Sequence, residues 1–177
     1  MRVATWNVNS LTARHDHVLR WLAAQADAGT PVDVLALQEL KLTDDKFPFE
    51  ALRAAGYEAA AFGQKTYNGV ALLSRGGVPR DVVRNIPGFA DEQSRIIAAT
   101  LDAPGGPLRV VNGYFVNGQE PGSEKFAYKM RWLDGLREHV RAELASHPRL
   151  VLLGDFNVAP EERDSCDPVG LRETIHH

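Results

Sequence analysis

The sequence has very little cysteine and no long apolar run. Cys166 is the only cysteine among its 177 residues, so a disulfide within the chain is impossible and a thiolate zinc site is strongly disfavoured. No stretch approaches the roughly 20 apolar residues that a membrane-spanning helix needs. The N-terminus goes directly into a strand-like pattern without a signal peptide before it. These absences predict a protein of the reducing cytoplasm with no membrane partner.

An excess of positive charge is absent as well. The chain carries 20 Lys and Arg against 23 Asp and Glu, which gives a formal net charge of −3. This balance argues against a protein that coats nucleic acid by bulk electrostatics, although it leaves room for a local basic groove or a metal ion among carboxylates. Because no repeat, low-complexity tract or linker interrupts the pattern, we interpret residues 1–177 as one domain.

Short apolar runs alternate with longer amphipathic segments, which is typical of an α/β layer fold. The predicted strands cover residues 2–8, 32–37, 57–62, 69–74, 96–101, 108–115 and 150–153, the last one ended by Gly154. Helices are predicted over residues 15–28, in a short segment after Pro48, and from the N-cap Ser123 to residue 146. The spacing predicts that the last helix buries Phe126, Met130, Leu133, Leu136, Val140 and Leu144.

Polar side chains follow four of these predicted strands. In extended backbone, residues i and i+2 face the same side, so Asp155 and Asn157 are expected to point to one place. Each such residue has an ordinary alternative, for example a turn asparagine or a solvated charge, but their coincidence at four strand ends favours a common site. The four pairs are Asn7 and Asn9, Glu39 and Lys41, Tyr114 and Asn117, and Asp155 and Asn157.

The oxygen chemistry of these side chains indicates one kind of ion. Carboxylate and amide oxygens without a thiolate or a His pair favour Mg²⁺ or Mn²⁺ over zinc. Such an ion keeps water positions that phosphate oxygens can occupy, which predicts phosphoryl transfer or phosphodiester hydrolysis. Tyr114 and Asn117 could donate hydrogen bonds to the non-bridging oxygens. The expected ligands are Asn7, Glu39, Asp155 and Asn157.

Six stretches of the chain resemble the exonuclease III family of apurinic/apyrimidinic endonucleases, within the endonuclease/exonuclease/phosphatase superfamily. They occur in the family's order and span almost the whole sequence. Tyr114 and Asn117 resemble the DNA-repair branch more than the lipid or inositol phosphatases. The stretches are Ala4–Ser10, Leu37–Lys41, Tyr67–Ala71, Glu92–Arg95, Val111–Tyr114 and Leu153–Pro160.

The resemblance implies a deoxyribonuclease I-like fold, a four-layer α/β sandwich of two facing mixed sheets. It also implies a monomeric Mg²⁺-dependent DNA-repair phosphodiesterase, with Mn²⁺ able to substitute. Such an enzyme degrades double-stranded DNA from 3′ ends, removes 3′ blocking groups and cuts on the 5′ side of abasic sites. By this resemblance Glu39 binds Mg²⁺ with Asn7 close to it, and Asp155 handles a proton as general base or as the acid on the leaving oxygen.

The remaining roles implied by the resemblance concern the phosphate and the DNA. Asn157 would orient the phosphate or Asp155, while Tyr114 and Asn117 would touch the scissile phosphate. The implied supporting or DNA-facing positions are Asn9, Lys41, Asn68 and Arg95.

The resemblance fails after Pro160. Family members carry a later acidic residue and an Asp-His pair that nothing here matches, and His176 and His177 have no preceding Asp. We therefore expect an N-terminal portion of such an enzyme, with an incomplete second sheet and a weak or absent activity of its own.

Two other functions stay open from the sequence. One is a non-catalytic fragment that binds metal or nucleic acid, and the other is a phosphodiesterase or phosphatase for RNA, phospholipid or inositol phosphates. Lys125, Lys129 and Arg131 could line a DNA groove, but a solvated helix face is the favoured interpretation at about two to one.

Overall fold

Two four-stranded sheets form the centre of the computed structural model, which describes residues 1–167 and 169–170. Short 3₁₀ turns cover Asp44–Lys46 and Glu162–Asp164. The strands are β1 (Val3–Asn7), β2 (Val34–Gln38), β3 (Glu58–Phe62), β4 (Val70–Ser74), β5 (Arg80–Arg84), β6 (Ile96–Leu101), β7 (Leu108–Tyr114) and β8 (Leu150–Asp155). The helices are α1 (Leu11–Asp27), α2 (Phe49–Ala54) and α3 (Glu124–Ser146), and none in the described residues is long and apolar enough to cross a bilayer.

The two sheets are built on the same plan. The first sheet has the strand order β1-β2-β4-β3 and the second has the order β5-β6-β7-β8. In each, one parallel pair is joined through a long helix, β1 to β2 through α1 and β7 to β8 through α3, while the other neighbours are antiparallel. Both sheets are therefore mixed, as predicted, and the carboxyl ends of each parallel pair lie side by side.

Three apolar cores lie between the layers of the fold. One joins α1 and α2 to the first sheet around Val18 and Leu52, one fills the space between the sheets around Val34 and Val110, and one joins α3 to the second sheet around Trp132. The order helix, sheet, sheet, helix confirms the predicted four-layer α/β sandwich.

Three local predictions were wrong. Strand β5 was missed because Val82 and Val83 are its only apolar residues and it lies at a sheet edge. Helix α1 begins at Leu11 rather than residue 15, because the Ser10 hydroxyl accepts a hydrogen bond from the Ala13 N–H and caps the first turn. Gly154 does not end its strand, since β8 continues to residue 155 and remains paired with β7.

The buried face of α3 also differs from the predicted stripe. Met130 and Leu144 are 48% and 46% exposed, whereas Lys129 is only 3% exposed. The helix is rotated so that Trp132, a bulky ring absent from the predicted stripe, packs against the second sheet with Leu136. The remaining buried position on this face is His139.

A polar contact joins the two sheets inside this apolar interior. Asn112 on β7 is fully buried, and its side-chain NH₂ donates to the carbonyls of Leu37 and Ala71 at 2.9 Å each. Its amide oxygen accepts a 2.7 Å hydrogen bond from Gln38 on β2, whose NH₂ also donates to the Thr5 hydroxyl. Because buried amides are costly unless satisfied, these bonds fix the register between the sheets.

Candidate active site

The predicted site residues lie at the carboxyl ends of the two parallel strand pairs. Asn7 ends β1 beside Gln38, and the residue after Gln38 is Glu39. Tyr114 ends β7 directly beside Asp155, which ends β8. Since β1 and β8 also contact each other across the sandwich, all four strand ends meet at one rim.

The carboxylates of Glu39 and Asp155 share one hydrogen-bond donor. The side-chain NH₂ of Asn7 donates to Glu39 Oε1 and to Asp155 Oδ2, both at 2.8 Å. The two carboxylate oxygens therefore lie no farther apart than twice that distance, although they come from different sheets. The structure thus brings together the residues on which the metal prediction depends.

The orientation of Asn7 differs from the expected one. Its amide oxygen, the atom predicted to bind a metal, accepts a 3.0 Å hydrogen bond from the Asn9 N–H. The NH₂ group is the part that faces the carboxylates. Rotation of the amide would be needed for the oxygen to reach an ion, so direct ligation by Asn7 stays a prediction.

Glu39 lies in a polarised, half-buried environment. Burial would raise the pKa of this carboxyl, but hydrogen bonds from Asn7, Lys41 and Tyr114 and the charge of Lys41 outweigh it, so the pKa is lowered. The Lys41 ammonium nitrogen is 3.0 Å from Glu39 Oε2. It also donates to the amide oxygen of Asn9, which places both predicted supporting residues at this carboxylate.

Tyr114 is held as a neutral donor. Burial, the charge of Glu39 and the hydrogen bond to Glu39 raise the pKa of Tyr114 to about 12. The phenol is therefore protonated at neutral pH, and its O–H can donate to an anionic oxygen at the rim.

Asn157 reaches the site in a way that the extended-strand argument did not predict. Its φ of 49° is left-handed, so it does not continue the strand from Asp155. Its backbone N–H instead donates to Asp155 Oδ1 at 3.1 Å, and its side-chain NH₂ donates to the Phe115 carbonyl at 3.0 Å. Asn117 contacts its amide oxygen at 3.5 Å, so the predicted grouping is observed although its geometric reason was wrong.

The backbone around the site is unusually left-handed. The described residues include ten non-glycine positions with positive φ, and five of them were predicted site residues. Such conformations cost free energy for most side chains and concentrate at sites that require them. On the first-sheet side this geometry is held by main-chain hydrogen bonds: the Ser10 N–H donates to the Glu39 carbonyl, and the Lys41 N–H donates to the Asn68 carbonyl. The five are Asn9, Glu39, Lys41, Asn68 and Asn157.

Two predicted DNA-facing residues lie away from the carboxylates and are buried. Asn68 is 7% exposed, and its NH₂ donates to the side chains of Gln64 and Gln93. Arg95 is 8% exposed and lies beneath the ring of Tyr114. The structure gives both residues contacts within the protein, and direct DNA contact by either stays a prediction.

The sequence reasoning placed Lys129 of α3 on a solvated helix face or along a DNA groove, and it missed the contact of this residue with the site loops. Its ammonium group donates to the carbonyls of Asn157 at 2.9 Å and Asn117 at 3.4 Å, and burial lowers its pKa. The predicted solvated face is thus wrong for Lys129. The available signal was Trp132, because a helix that buries Trp132 and Leu136 also buries position 129.

The donor set of the rim fits a hydrated hard cation. Glu39 and Asp155 offer carboxylate oxygens and no thiolate is near, while no group of three or more His, Cys, Asp or Glu able to hold a metal occurs in the described residues. Mg²⁺ is commonly held by one or two carboxylates and keeps several waters, so two carboxylates suffice. His176 and His177 lie outside the described residues.

Comparisons with known proteins agree with this picture. The model of the Endonuclease/Exonuclease/phosphatase family matches residues 4–174. The chain is 35% identical over 166 residues to exodeoxyribonuclease III of Haemophilus influenzae, covering 93% of this chain and 60% of that protein. The matches confirm the resemblance inferred from the six stretches.

Solved structures give the same result. The 3′-5′ exonuclease NExo from Neisseria meningitidis is 49% identical with a TM-score of 0.90, covering 99% of this chain and 65% of that one. An AP endonuclease from Archaeoglobus fulgidus is 32% identical with a TM-score of 0.88 and the same coverage. The chain therefore spans about 60% to 65% of the length of these relatives.

Proposed function

The chain belongs to the Endonuclease/Exonuclease/phosphatase family, and from this premise we propose that it acts in an Mg²⁺-dependent DNA-repair phosphodiesterase. The proposed reactions are 3′-5′ exonucleolytic degradation of duplex DNA and hydrolysis of the phosphodiester on the 5′ side of an abasic site. The observation that carries the proposal is the Asn7 amide bridging Glu39 and Asp155, because it gathers two carboxylates from separate sheets at one point. Mn²⁺ is expected to substitute for Mg²⁺.

The relatives support DNA as the substrate. Similar proteins include an exodeoxyribonuclease III and an AP endonuclease, and one solved structure is of the 3′ phosphatase NExo bound to a product DNA hairpin. The proposed partner is accordingly double-stranded DNA with abasic sites or 3′ ends, bound by a monomer in the cytoplasm.

The proposed mechanism assigns each residue a chemical task. Glu39, whose lowered pKa keeps it ionised, and Asp155 would hold the ion, and Asn7 would set their spacing. Bound Mg²⁺ would neutralise charge on the phosphate and polarise it for attack. Asp155 would also take the proton of the attacking water or return one to the leaving oxygen. Tyr114 would donate to a non-bridging oxygen as charge develops there.

Asn157 and Asn117 complete the proposed phosphate site. The Asn157 N–H orients Asp155, and its amide lies within reach of the Asn117 side chain. Asn9 and Lys41 hold Glu39 from the opposite side. The pair Asn117 and Asn157 and the pair Asn9 and Lys41 would therefore lie on opposite sides of a bound phosphate, one pair from each sheet.

The test is cleavage of a duplex oligonucleotide with one abasic site, with Mg²⁺ and with EDTA, alongside Mn²⁺ binding followed by electron paramagnetic resonance. We expect a cut 5′ of the lesion that EDTA abolishes, and at least a thousandfold loss in Glu39→Gln and Asp155→Asn. Glu138→Gln, an exposed carboxylate on α3, is the matched control and should behave as the unchanged protein.

Because the chain covers about 60% of a relative's length, binding without turnover is the second candidate function. Mn²⁺ binding that both carboxylate variants lose, with no cut of any DNA, would favour it. Faster turnover of RNA, phospholipid or inositol phosphates than of abasic DNA would contradict the DNA-repair proposal.

A further inference from the structure

A groove of about 650 Å³ lies beside the candidate site and shares Tyr114 and Asn117 with it. Tyr114, Arg95 and Gln93 line it from the second sheet and its preceding loop, and Tyr128 lines it from α3. The side chains in its wall form one connected set of hydrogen bonds that ends at Tyr114.

Arg95 is the link between this set and Tyr114. Its Nε and Nη2 groups donate to the Gln93 side-chain oxygen at 3.2 and 2.6 Å, and its Nη1 group donates to the Tyr114 carbonyl at 3.2 Å. The guanidinium carbon lies 5.2 Å from the centre of the Tyr114 ring, within the range of a cation–π contact. All three nitrogens thus donate within the protein, which holds the guanidinium against the ring.

Gln93 is held in turn by Tyr128 and Asp91. The Gln93 NH₂ donates to the Tyr128 hydroxyl at 3.3 Å, and that hydroxyl donates to Asp91 Oδ2 at 2.6 Å. Burial and the hydrogen bond to Asp91 raise the pKa of Tyr128, so its proton stays in place to bind the carboxylate. Asp91 Oδ1 also accepts a 2.9 Å hydrogen bond from the Gln93 backbone N–H. Asp91 and Gln93 are therefore joined both directly and through the Tyr128 hydroxyl.

The order of these contacts has a mechanical consequence. The Tyr114 ring has Arg95 against its face, while its hydroxyl is half-buried and lies near enough to Glu39 for burial and that carboxylate to raise the pKa of the phenol. A ring held on its face cannot turn about its side-chain bonds without breaking the contact with the guanidinium. The hydroxyl position at the rim therefore depends on groups that never reach the rim themselves.

We infer that Asp91, Gln93 and Tyr128 are positioning residues, which hold Arg95 against Tyr114 and thereby fix the Tyr114 hydroxyl beside Glu39. The link to catalysis rests on the proposed function, in which this hydroxyl donates to the phosphate. The claim about the position of the ring does not rest on the proposed function, since it concerns only the contacts of Tyr114 within the protein.

The ring is tested directly with the chain labelled with 3-fluorotyrosine. Its four tyrosines give few enough ¹⁹F signals to assign by single Phe variants. Tyr128→Phe and Asp91→Asn should each shift or broaden the Tyr114 signal. The control is Tyr57→Phe, which removes another buried hydroxyl, donating to the Val32 carbonyl at 2.7 Å, but in the first sheet. A Tyr114 signal unchanged in both test variants, or equally changed in the control, overturns the inference.

Catalysis is tested with a double-mutant cycle on abasic duplex DNA. Tyr128→Phe should lower kcat about tenfold with KM within twofold, and should cause no further loss in a Tyr114→Phe background. A general structural defect would lower kcat by the same factor in both backgrounds, and that result would overturn the catalytic part. If the unchanged chain cuts no DNA, the proposed function fails while the ¹⁹F experiment still decides the position of the ring.

Discussion

The two halves of the sandwich use the same strand–helix–strand connection but employ their helices differently. Helix α1 buries only apolar side chains, such as Val18 and Leu22, against the first sheet. Helix α3 buries Lys129 and His139 together with Trp132 against the second. On the first-sheet side, the site loop is held by main-chain hydrogen bonds and by Arg14, a partly exposed α1 side chain that donates to the Asn9 carbonyl at 2.9 Å. On the second-sheet side, the buried Lys129 of α3 holds the site loops. Both helices thus contact the site loops, but α1 does so with a partly exposed cation and α3 with a buried one.

The largest expected loss of stability comes from a substitution at the point where β7 and β8 of the second sheet approach each other closely. A Cβ atom on Gly154, whose φ is +141°, would lie 1.9 Å from the Gly113 carbonyl oxygen. Gly154→Ala should therefore lose more than about 4 kcal/mol of unfolding free energy, measured by urea titration. Gly56→Ala, in the first half, has φ +88° and no atom within 4 Å, and should lose only about 1 kcal/mol. Equal losses would show that the contact between β7 and β8 is not special.

The buried ion pair between α3 and the second sheet should rank next. Arg109 and Glu143 have side chains 2% and 10% exposed, joined by two hydrogen bonds of 2.6 and 3.0 Å. Glu143→Gln leaves the guanidinium buried without its counter-charge and should cost about 3 kcal/mol. Asp102→Asn breaks an exposed pair with Arg80 and should cause no measurable change. A small loss in Glu143→Gln would mean that α3, like α1, is held by apolar packing alone.

The same pair predicts a dependence on pH. Burial would raise the pKa of Glu143, but hydrogen bonds and charge from Arg109, aided by His139 and His147, outweigh it and leave the pKa lowered. A lowered pKa stabilises the fold above the ordinary value of 4.5, and this contribution is lost as the pH falls below it. The unfolding free energy should therefore fall more steeply between pH 4.5 and acid unfolding in the unchanged chain than in Glu143→Gln. If the unfolding free energies of the two proteins fall in parallel with pH, Glu143 is not the group responsible for the pH dependence.

A smaller effect, on kcat, is expected from a substitution of Lys129, and it tests whether α3 supports the site. Lys129→Met keeps the buried stem but removes the donors to the Asn117 and Asn157 carbonyls. We expect kcat on abasic DNA to fall about tenfold, because small displacements of site loops are costly to the reaction. Arg137→Met changes an exposed cation on the same helix and is the control. If both variants retain full activity, α3 does not support the site.

The smallest effects should come from the two N-caps. Ser10 accepts from Ala13 at 3.4 Å, whereas Ser123 accepts from Phe126 at 3.1 Å and also donates to the Gly118 and Glu120 carbonyls. Each Ser→Ala change should cost about 1 kcal/mol, with the larger loss at Ser123. Thermal unfolding of the two variants side by side measures the difference, and a larger loss at Ser10 would reverse the comparison.

Most of the fold could be predicted because its central strands, such as β2, β4 and β6, are buried on both faces and read as apolar runs. The run from Ile96 to Leu101 was placed without error, since every one of its residues is buried. Strand β5 could not be placed in this way, because at an edge its charged residues outnumber its valines. The layer order followed from the alternation of strands and helices, while the rotation of α3 depended on tertiary contacts of Trp132.

The composition of the candidate site could be predicted, but its geometry could not. Residue types at strand ends identified Glu39 and Asp155 as partners although they are far apart in the chain. The left-handed backbone of Asn157 and the rotation of the Asn7 amide depend on hydrogen bonds that no local pattern reveals. For the same reason the sequence left Arg95 as either a supporting or a DNA-facing residue, since its burial depends on acceptors supplied by the tertiary fold.

The polar contact that Asn112 makes across the interior lies just beneath the rim. Because it locks the facing strands at one end, sliding of one layer over the other is resisted there by directional bonds rather than by shape alone. Any tilt of the layers caused by a change of packing volume deeper in the sandwich is then expected to pivot about this end. Interior residues can then change during evolution while the distances between the reactive groups at the rim stay the same.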